Sequence, residues 1–174
     1  TREEFDGSAW ARIARSHLGG LPPEVNLKAE VALGNVVRAL SAADGPDGRP
    51  LVRAAHDLSN GGLVQSLVDS ALRFGIGGVF DVAGAARRDC VGDHEMLLSE
   101  SQARAFVAVP EAALKAVFAA AEAEGVDAVR IGTTGGDMLA ISGVDLLAAE
   151  GEGCGWIASI DELRELSETG RKYF

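Results

Sequence analysis

Cations are scarce in this sequence: Lys and Arg number 16 against 26 Asp and Glu, a formal net charge of −10 at pH 7. No run of basic residues forms a stripe able to track a phosphate backbone, so nucleic acid is not expected as a partner. Cysteine is almost missing. Cys90 and Cys154 are too few for a disulfide framework and lack the Cys-x-x-Cys spacing of a zinc site. Both are read as buried or half-buried free thiols, a usage that suits the reducing cytoplasm. Long apolar runs are absent as well. The longest apolar region, Ala105 to Ala121, is broken by Pro110, Glu111 and Lys115 and falls short of the ~20 residues a membrane span needs. The opening residues Thr1-Arg2-Glu3-Glu4-Phe5 lack the apolar stretch of a signal peptide. With no initiator Met, the chain reads as a piece of a longer polypeptide.

What remains is a chain of 174 residues, 47% of them hydrophobic, enough to bury a real core in one compact unit. The apolar content comes from Ala, Val and Leu more than from aromatics, which suits helices packed closely on a sheet. Trp10, Ile13, Ala14 and Leu18 predict a short helix over 7–18, closed by Gly19-Gly20 and the rigid Leu21-Pro22-Pro23. Asn26 is a candidate N-cap for a helix with Leu27, Val31, Val37 and Leu40 on its apolar side and Lys28, Glu30 and Arg38 on its polar side. The cluster Asp44-Gly45-Pro46-Asp47-Gly48 stops that helix.

Further on, 51–55, 77–82 and 105–109 read as short strands. Leu63, Leu67, Ala71 and Phe74 predict a helix after the second glycine-rich turn. Pro110 opens another over 111–124, with Leu114, Val117, Phe118 and Ala121 on one face. The runs 129–132 and 138–142, separated by Thr133-Thr134-Gly135-Gly136-Asp137, predict a hairpin. Ser159-Ile160-Asp161-Glu162 is a capping box ahead of a last helix with Leu163 and Leu166 on its apolar side. Strands alternating with helices predict an α/β fold, a layered domain with one mixed sheet and packed helices.

Two segments carry polar groups where chemistry is possible. Asp57-Leu58-Ser59-Asn60-Gly61-Gly62 lies between a strand and a helix, where free N–H groups and glycines can receive a phosphate or carboxylate. It lacks the Gly-Lys-Ser/Thr ending of a P-loop, and a plain tight connection is the alternative. His56 and Asp57 are strand neighbours pointing to opposite faces, which argues against a catalytic pair; Asp57 is read as a cap for the turn. The second segment, Ser99-Glu100-Ser101-Gln102-Ala103-Arg104, crowds polar groups against a buried strand, so their partners are either backbone or a ligand. Asp93-His94-Glu95 is read as a solvated loop rather than a metal cluster. The three histidines and two cysteines lie in unrelated elements, so no catalytic set is assembled and neither catalytic nor metal residues are assigned.

The order Leu18-Gly19-Gly20-Leu21-Pro22-Pro23, Ala55-His56-Asp57-Leu58-Ser59-Asn60-Gly61-Gly62-Leu63, Leu98-Ser99-Glu100-Ser101-Gln102-Ala103-Arg104 and Arg130-Ile131-Gly132 resembles the final domain of the phosphoribosylformylglycinamidine synthases. The resemblance spans nearly the whole chain. It implies the three-layer α/β fold of the aminoimidazole ribonucleotide synthetase C-terminal domains, with residues 25–174 forming that domain and 1–24 a helix and linker from a preceding one. It also implies an ATP- and Mg2+-dependent ligase in the full-length enzyme, which phosphorylates the formylglycinamide ribonucleotide carbonyl and admits ammonia from a glutaminase domain or subunit. Preceding synthase domains are implied partners, and this segment alone is expected to be inactive and to hold no cofactor tightly.

Asp57, Ser59, Asn60, Gly61, Gly62, Glu100, Ser101 and Gln102 become the implied substrate- or nucleotide-binding candidates. The chain matches the second of two pseudo-symmetric copies, however. A structural or auxiliary nucleotide role for Glu100-Ser101-Gln102 therefore stands beside substrate contact. Asn60 replaces an Asp common in relatives, which removes a charge, and the ending Gly170-Arg171-Lys172-Tyr173-Phe174 keeps only the final Phe of the expected pattern.

Overall fold

A computed structural model describes residues 1–142 and 155–170; Cys154 and the ending from 171 to 174 lie outside the described residues. Helix α1 (Ala9–Arg15) starts where the Ser8 hydroxyl accepts from the Ala11 amide. It stops short of the expected Leu18 because Ser16 turns left-handed, with φ of 50°. Helix α2 (Leu27–Ser41) is capped as read: the Asn26 side-chain oxygen accepts from Lys28 and Ala29, each at 3.1 Å.

The apolar side of α2 differs from the sequence reading. Val36 and Leu40 are buried, whereas Leu27 and Val31 face solvent. Glu30, placed on the polar face by its type, instead accepts from the Ala103 amide at 2.9 Å.

Strand β1 (Ala54–Asp57) begins later than the run 51–55 suggested. Leu51 is buried, but its amide donates to the Ala43 carbonyl at 2.9 Å and closes the turn after α2 instead of joining a ladder. Helix α3 (Gly62–Phe74) buries Leu63, Leu67 and Ala71, while Phe74 at its end is exposed. Strand β2 (Gly78–Asp81) leads into α4 (Ala83–Asp89) and α5 (Asp93–Leu98).

Those two short helices escaped the sequence reading, since neither is long enough to show a helical period. They correct two expectations. Asp93, His94 and Glu95 form the half-buried first turn of α5 rather than a solvated loop. Cys90, at the left-handed end of α4, is exposed rather than buried.

Strand β3 (Ala105–Ala108) pairs antiparallel with β1, aligning Ala54 with Ala108 and Asp57 with Ala105. A 3-10 turn (Glu111–Ala113) then runs into α6 (Leu114–Ala123). Strands β4 (Gly132–Thr134), β5 (Met138–Ser142) and β6 (Trp156–Ser159) complete a mixed sheet of order β4-β2-β5-β6, and α7 (Ile160–Gly170) follows.

The expected hairpin between 129–132 and 138–142 does not form, because β2 sits between the two strands, antiparallel to β4 and parallel to β5. The glycine turn wraps around the start of β2. The Gly77 amide donates to the Gly136 carbonyl and the Gly135 amide to the Gly77 carbonyl, both at 2.8 Å. Local patterning identified β5, but β4 shares only Gly132 with the run 129–132 and takes Thr133 and Thr134 from the expected turn, because pairing with β2 fixes its position. The strands thus divide over two sheets rather than one.

The main core gathers Leu63, Leu67, Phe80, Val82, Leu97, Leu139 and Ile141 between the mixed sheet and its helices. A smaller core joins Val36, Leu40, Leu51 and Ala113. An apolar hollow of about 560 Å³ lies between them, walled by side chains such as Leu67, Phe80, Phe106, Val117 and Leu139. Among the described residues, no helix is long and apolar enough to cross a membrane.

The capping box before α7 is present in full: the Ser159 amide and hydroxyl donate to Glu162 Oε2 at 2.7 and 2.8 Å, and the Glu162 amide donates back to Ser159 Oγ at 3.1 Å.

Two outcomes follow from this packing. Leu139→Ala, at a position 1% exposed, is expected to destabilise the fold by about 2–5 kcal/mol in urea titration. The Ser159 amide, and then its hydroxyl, hold Glu162 below its ordinary 4.5. That stabilisation is complete above the unfolded value and is lost as pH falls through the lowered folded one. Thermal melts from about pH 6 to about pH 3 should therefore fall less steeply in Glu162→Gln than in the parent.

Candidate functional site

The two polar segments singled out in the sequence meet in space, and Glu100 joins them. Its Oε1 accepts from the Gly61 amide at 2.7 Å and from the Ala9 amide at 2.8 Å. Gly61 is the N-cap of α3 and has no side chain to offer, so the start of α3 lacks a cap of its own. A helix N-terminus attracts negative charge because its first N–H groups are unpaired and its dipole is positive there. Here the anion comes from the protein itself. The neighbouring Gly62 amide is also engaged, donating to the Ser59 carbonyl at 2.9 Å.

Glycine is required at Gly62 for a steric reason. Its φ is +67°, and a Cβ added there would lie 2.6 Å from the Leu97 carbonyl oxygen and 2.7 Å from that of Ser99. The turn and the 97–100 segment are thus pressed together at backbone distance, which explains why the two motifs converge.

Ser99 and Ser101 are buried at 0% and 2% exposure, and both are satisfied within the protein. Ser99 Oγ accepts from the Glu4 amide at 3.3 Å, and Ser101 Oγ accepts from the Arg2 amide at 3.0 Å while donating to the Arg2 carbonyl at 3.3 Å. The Glu100 amide donates to the Glu4 carbonyl at 3.4 Å. Residues 2–4 therefore lie along 99–101 almost as a paired strand.

Arg104 locks the same segment from its other end. Its Nε donates to the Ser101 carbonyl at 2.9 Å, Nη1 to Thr1 Oγ1 at 3.0 Å, and Nη2 to the Ser99 carbonyl. Burial pushes the guanidinium down to about 10, still well above neutrality, so it stays charged and needs these acceptors. Arg104 belonged to the sequence motif but not to the candidate list. Its place in a run of polar residues directly before a buried strand was the available signal that it would turn inward and need protein acceptors.

The other candidates form an exposed rim. Ser59, Asn60 and Gln102 are exposed, and the Gln102 side-chain amide donates to the Glu100 carbonyl at 3.4 Å. Asp57 does not cap the turn: its carboxylate is 76% exposed, and Glu100 serves the start of α3 instead. The Asp57 carbonyl accepts from Ser66 Oγ at 3.0 Å.

His56 and Asp57 come closer than strand alternation suggested, with His56 Nδ1 3.6 Å from Asp57 Oδ1 and 2.6 Å from the Asp57 carbonyl oxygen. The imidazole also stacks on Phe106, with ring centroids 5.9 Å apart. That geometry is a local side-chain turn, and it brings no nucleophile to the ring. Among the described residues, no group of three His, Cys, Asp or Glu side chains is placed to hold a metal ion. The arginines lining the apolar hollow among the described residues are engaged within the protein, Arg53 with Asp47, Arg88 with Asp89, Arg130 with Glu111 and Arg104 with Ser99, Ser101 and Thr1.

The arrangement can orient a turn and pin an N-terminal segment, and its exposed rim can touch a neighbour or ligand. Replacing Glu100 by Ala is expected to cost about 1–3 kcal/mol in urea titration by orphaning two backbone donors. Hydrogen exchange at the Ala9 and Gly61 amides should accelerate together. Glu100→Gln keeps an acceptor oxygen and should lose less.

Comparison with known proteins fits this picture. A relative from a Nocardioides species, named phosphoribosylformylglycinamidine synthase subunit PurL, is 43% identical over 82% of this chain and 17% of its own length. The similarly named subunit of Renibacterium salmoninarum is 42% identical over 100% of this chain and 21% of its own. The chain thus spans about a fifth of the length of these relatives. Among solved structures, T. maritima PurL complexed with ATP superposes with a TM-score of 0.50 at 18% identity, over 65% of this chain and 19% of that one, which bears on the fold alone. Residues 3–142 match the family described as AIR synthase related protein, C-terminal domain; with four-fifths of its length inside that match and an α/β fold to suit, the chain belongs to this family.

Proposed function

We propose that this chain is the C-terminal domain of a phosphoribosylformylglycinamidine synthase, a C–N ligase of purine biosynthesis. In this reading the full-length enzyme converts formylglycinamide ribonucleotide to its amidine, using ATP, Mg2+ and glutamine-derived ammonia. The observation that carries the proposal is the 42% identity to the Renibacterium subunit over 100% of this chain. The ATP in the T. maritima complex lends support to nucleotide use by the whole protein.

Segment 1–24 is assigned as the connection from a preceding domain, and the preceding synthase domains, a glutaminase domain or subunit and the small-molecule substrate are the partners. The residues present here do not suit a Mg2+ ion: Asp57 is a lone exposed carboxylate and no metal-capable cluster exists among the described residues. No catalytic step is assigned to this chain. Its role is to complete a larger enzyme in the cytoplasm, and it is inactive alone.

A second reading, a domain that only braces the synthase, is favoured by one feature: Glu100 fills the anion position at the start of α3. Under the first reading the rim of Asp57, Ser59, Asn60 and Gln102 faces substrate or nucleotide. Under the second it touches protein or solvent.

A chimera separates the two. In it, the matching segment of the Renibacterium subunit is replaced by this chain, and amidine formation is assayed with an ammonium salt as nitrogen source. The chimera is expected to be active while the isolated chain is not; an inactive but folded chimera overturns the assignment. Asp57→Ala and Gln102→Ala in the chimera should lower kcat/KM about tenfold or more, equal to about 1.4 kcal/mol of transition-state binding, if the rim holds ligand. Unchanged kinetics would establish the bracing role.

A further inference from the structure

We propose that the outer face of α2 is a docking site for an apolar, acid-rimmed helix carried by the part of the synthase polypeptide outside the segment this chain matches. Leu27 and Val31 stand one helical turn apart on that face and are 73% and 64% exposed. Val25, just ahead of the helix, is 60% exposed. The opposite side of α2 buries Val36 and Leu40 in the smaller core, so the domain's own packing does not need the outer residues.

Gly34 continues the same stripe three residues after Val31. Glycine weakens a helix interior relative to alanine, and a Cβ added at Gly34 would meet nothing within 4 Å. Nothing inside this domain therefore requires a glycine at that point. Close approach of another backbone from outside supplies the missing reason, since a glycine on a helix surface lets a second helix cross at short distance.

The occupant follows from charge and length. Lys28 lies beside the start of the stripe and Arg38 at its far end, while Glu30 on the other flank is tied to the Ala103 amide, so the complementary surface carries acidic residues facing the two cations. A second copy is the wrong partner. Laying the stripe antiparallel on itself would bring Lys28 of one copy towards Arg38 of the other, and two chains of net charge −10 repel. The matching relatives, by contrast, hold about four-fifths of their length outside the matched segment, since the match covers 17% and 21% of them. This inference rests on the synthase assignment made above.

The test reads thiol accessibility rather than activity. In a Cys90→Ser, Cys154→Ser background, Val31→Cys and, separately, Leu27→Cys are titrated with an aromatic disulfide reagent in the isolated chain and in the Renibacterium chimera. Both thiols should react fast in the isolated chain and at least about tenfold more slowly in the chimera, because the core of an interface excludes solvent and solutes. A Glu165→Cys control on exposed α7 should react equally in both.

An equally fast reaction of Cys at positions 31 and 27 in an active chimera overturns the docking face and leaves the synthase assignment standing. Protection in a folded but inactive chimera removes the synthase assignment and, with it, the inference that rests on it. Protection in the isolated chain that grows with its concentration would mean that a second copy is the occupant, and would overturn the inference as well.

Discussion

Almost everything specific about this domain turns on one carboxylate placed between two helix starts. Glu100 receives the Gly61 amide at 2.7 Å and the Ala9 amide at 2.8 Å. Each is a backbone donor that a helix cannot satisfy internally. A single anion thereby ties the N-terminal segment, the turn into α3 and the 99–104 segment to one another. With that point fixed, Ser99 and Ser101 can be buried without loss, because residues 2–4 are held where they supply the partners. The Arg104 guanidinium can then enter a site of low dielectric, since three oxygens of the protein face it.

The same constraint shapes what the domain can do. A glycine turn opening a helix is suited to phosphate, but here its positive end is already neutralised from within. What stays open is the rim, with Asp57 exposed and Gln102 beside the Glu100 backbone. A surface of this kind reports contact to a neighbouring domain as readily as it contacts a ligand. The outer stripe of α2 is exposed as well, with Leu27 and Val31 turned to solvent.

Much of the fold was legible because the deciding interactions are local. The Asn26 cap and the Ser159/Glu162 capping box formed as their side-chain chemistry requires. Leu63, Leu67 and Ala71 went inward on the period of an α-helix. Failures occurred where distant segments intervened. Strand β2 entered between two runs that look like a hairpin, α4 and α5 were too short to display a period, and Leu27 and Val31 were apolar without being core. The candidate site shows the same division: both motifs were visible, but not that one would cap the other.

The sequence by itself determined the family, the alternation of strands and helices, the caps of α2 and α7 and the two polar segments, because each is encoded by residue types at short spacing. Only the tertiary structure decided which strand lies beside which and that Glu100, rather than Asp57, serves the start of α3. It also turned Ser99, Ser101 and Arg104 inward. Those outcomes depend on backbone groups tens of residues apart, and a backbone amide or carbonyl is the same in every residue but proline, so no pattern of side chains announces which acceptor it will find.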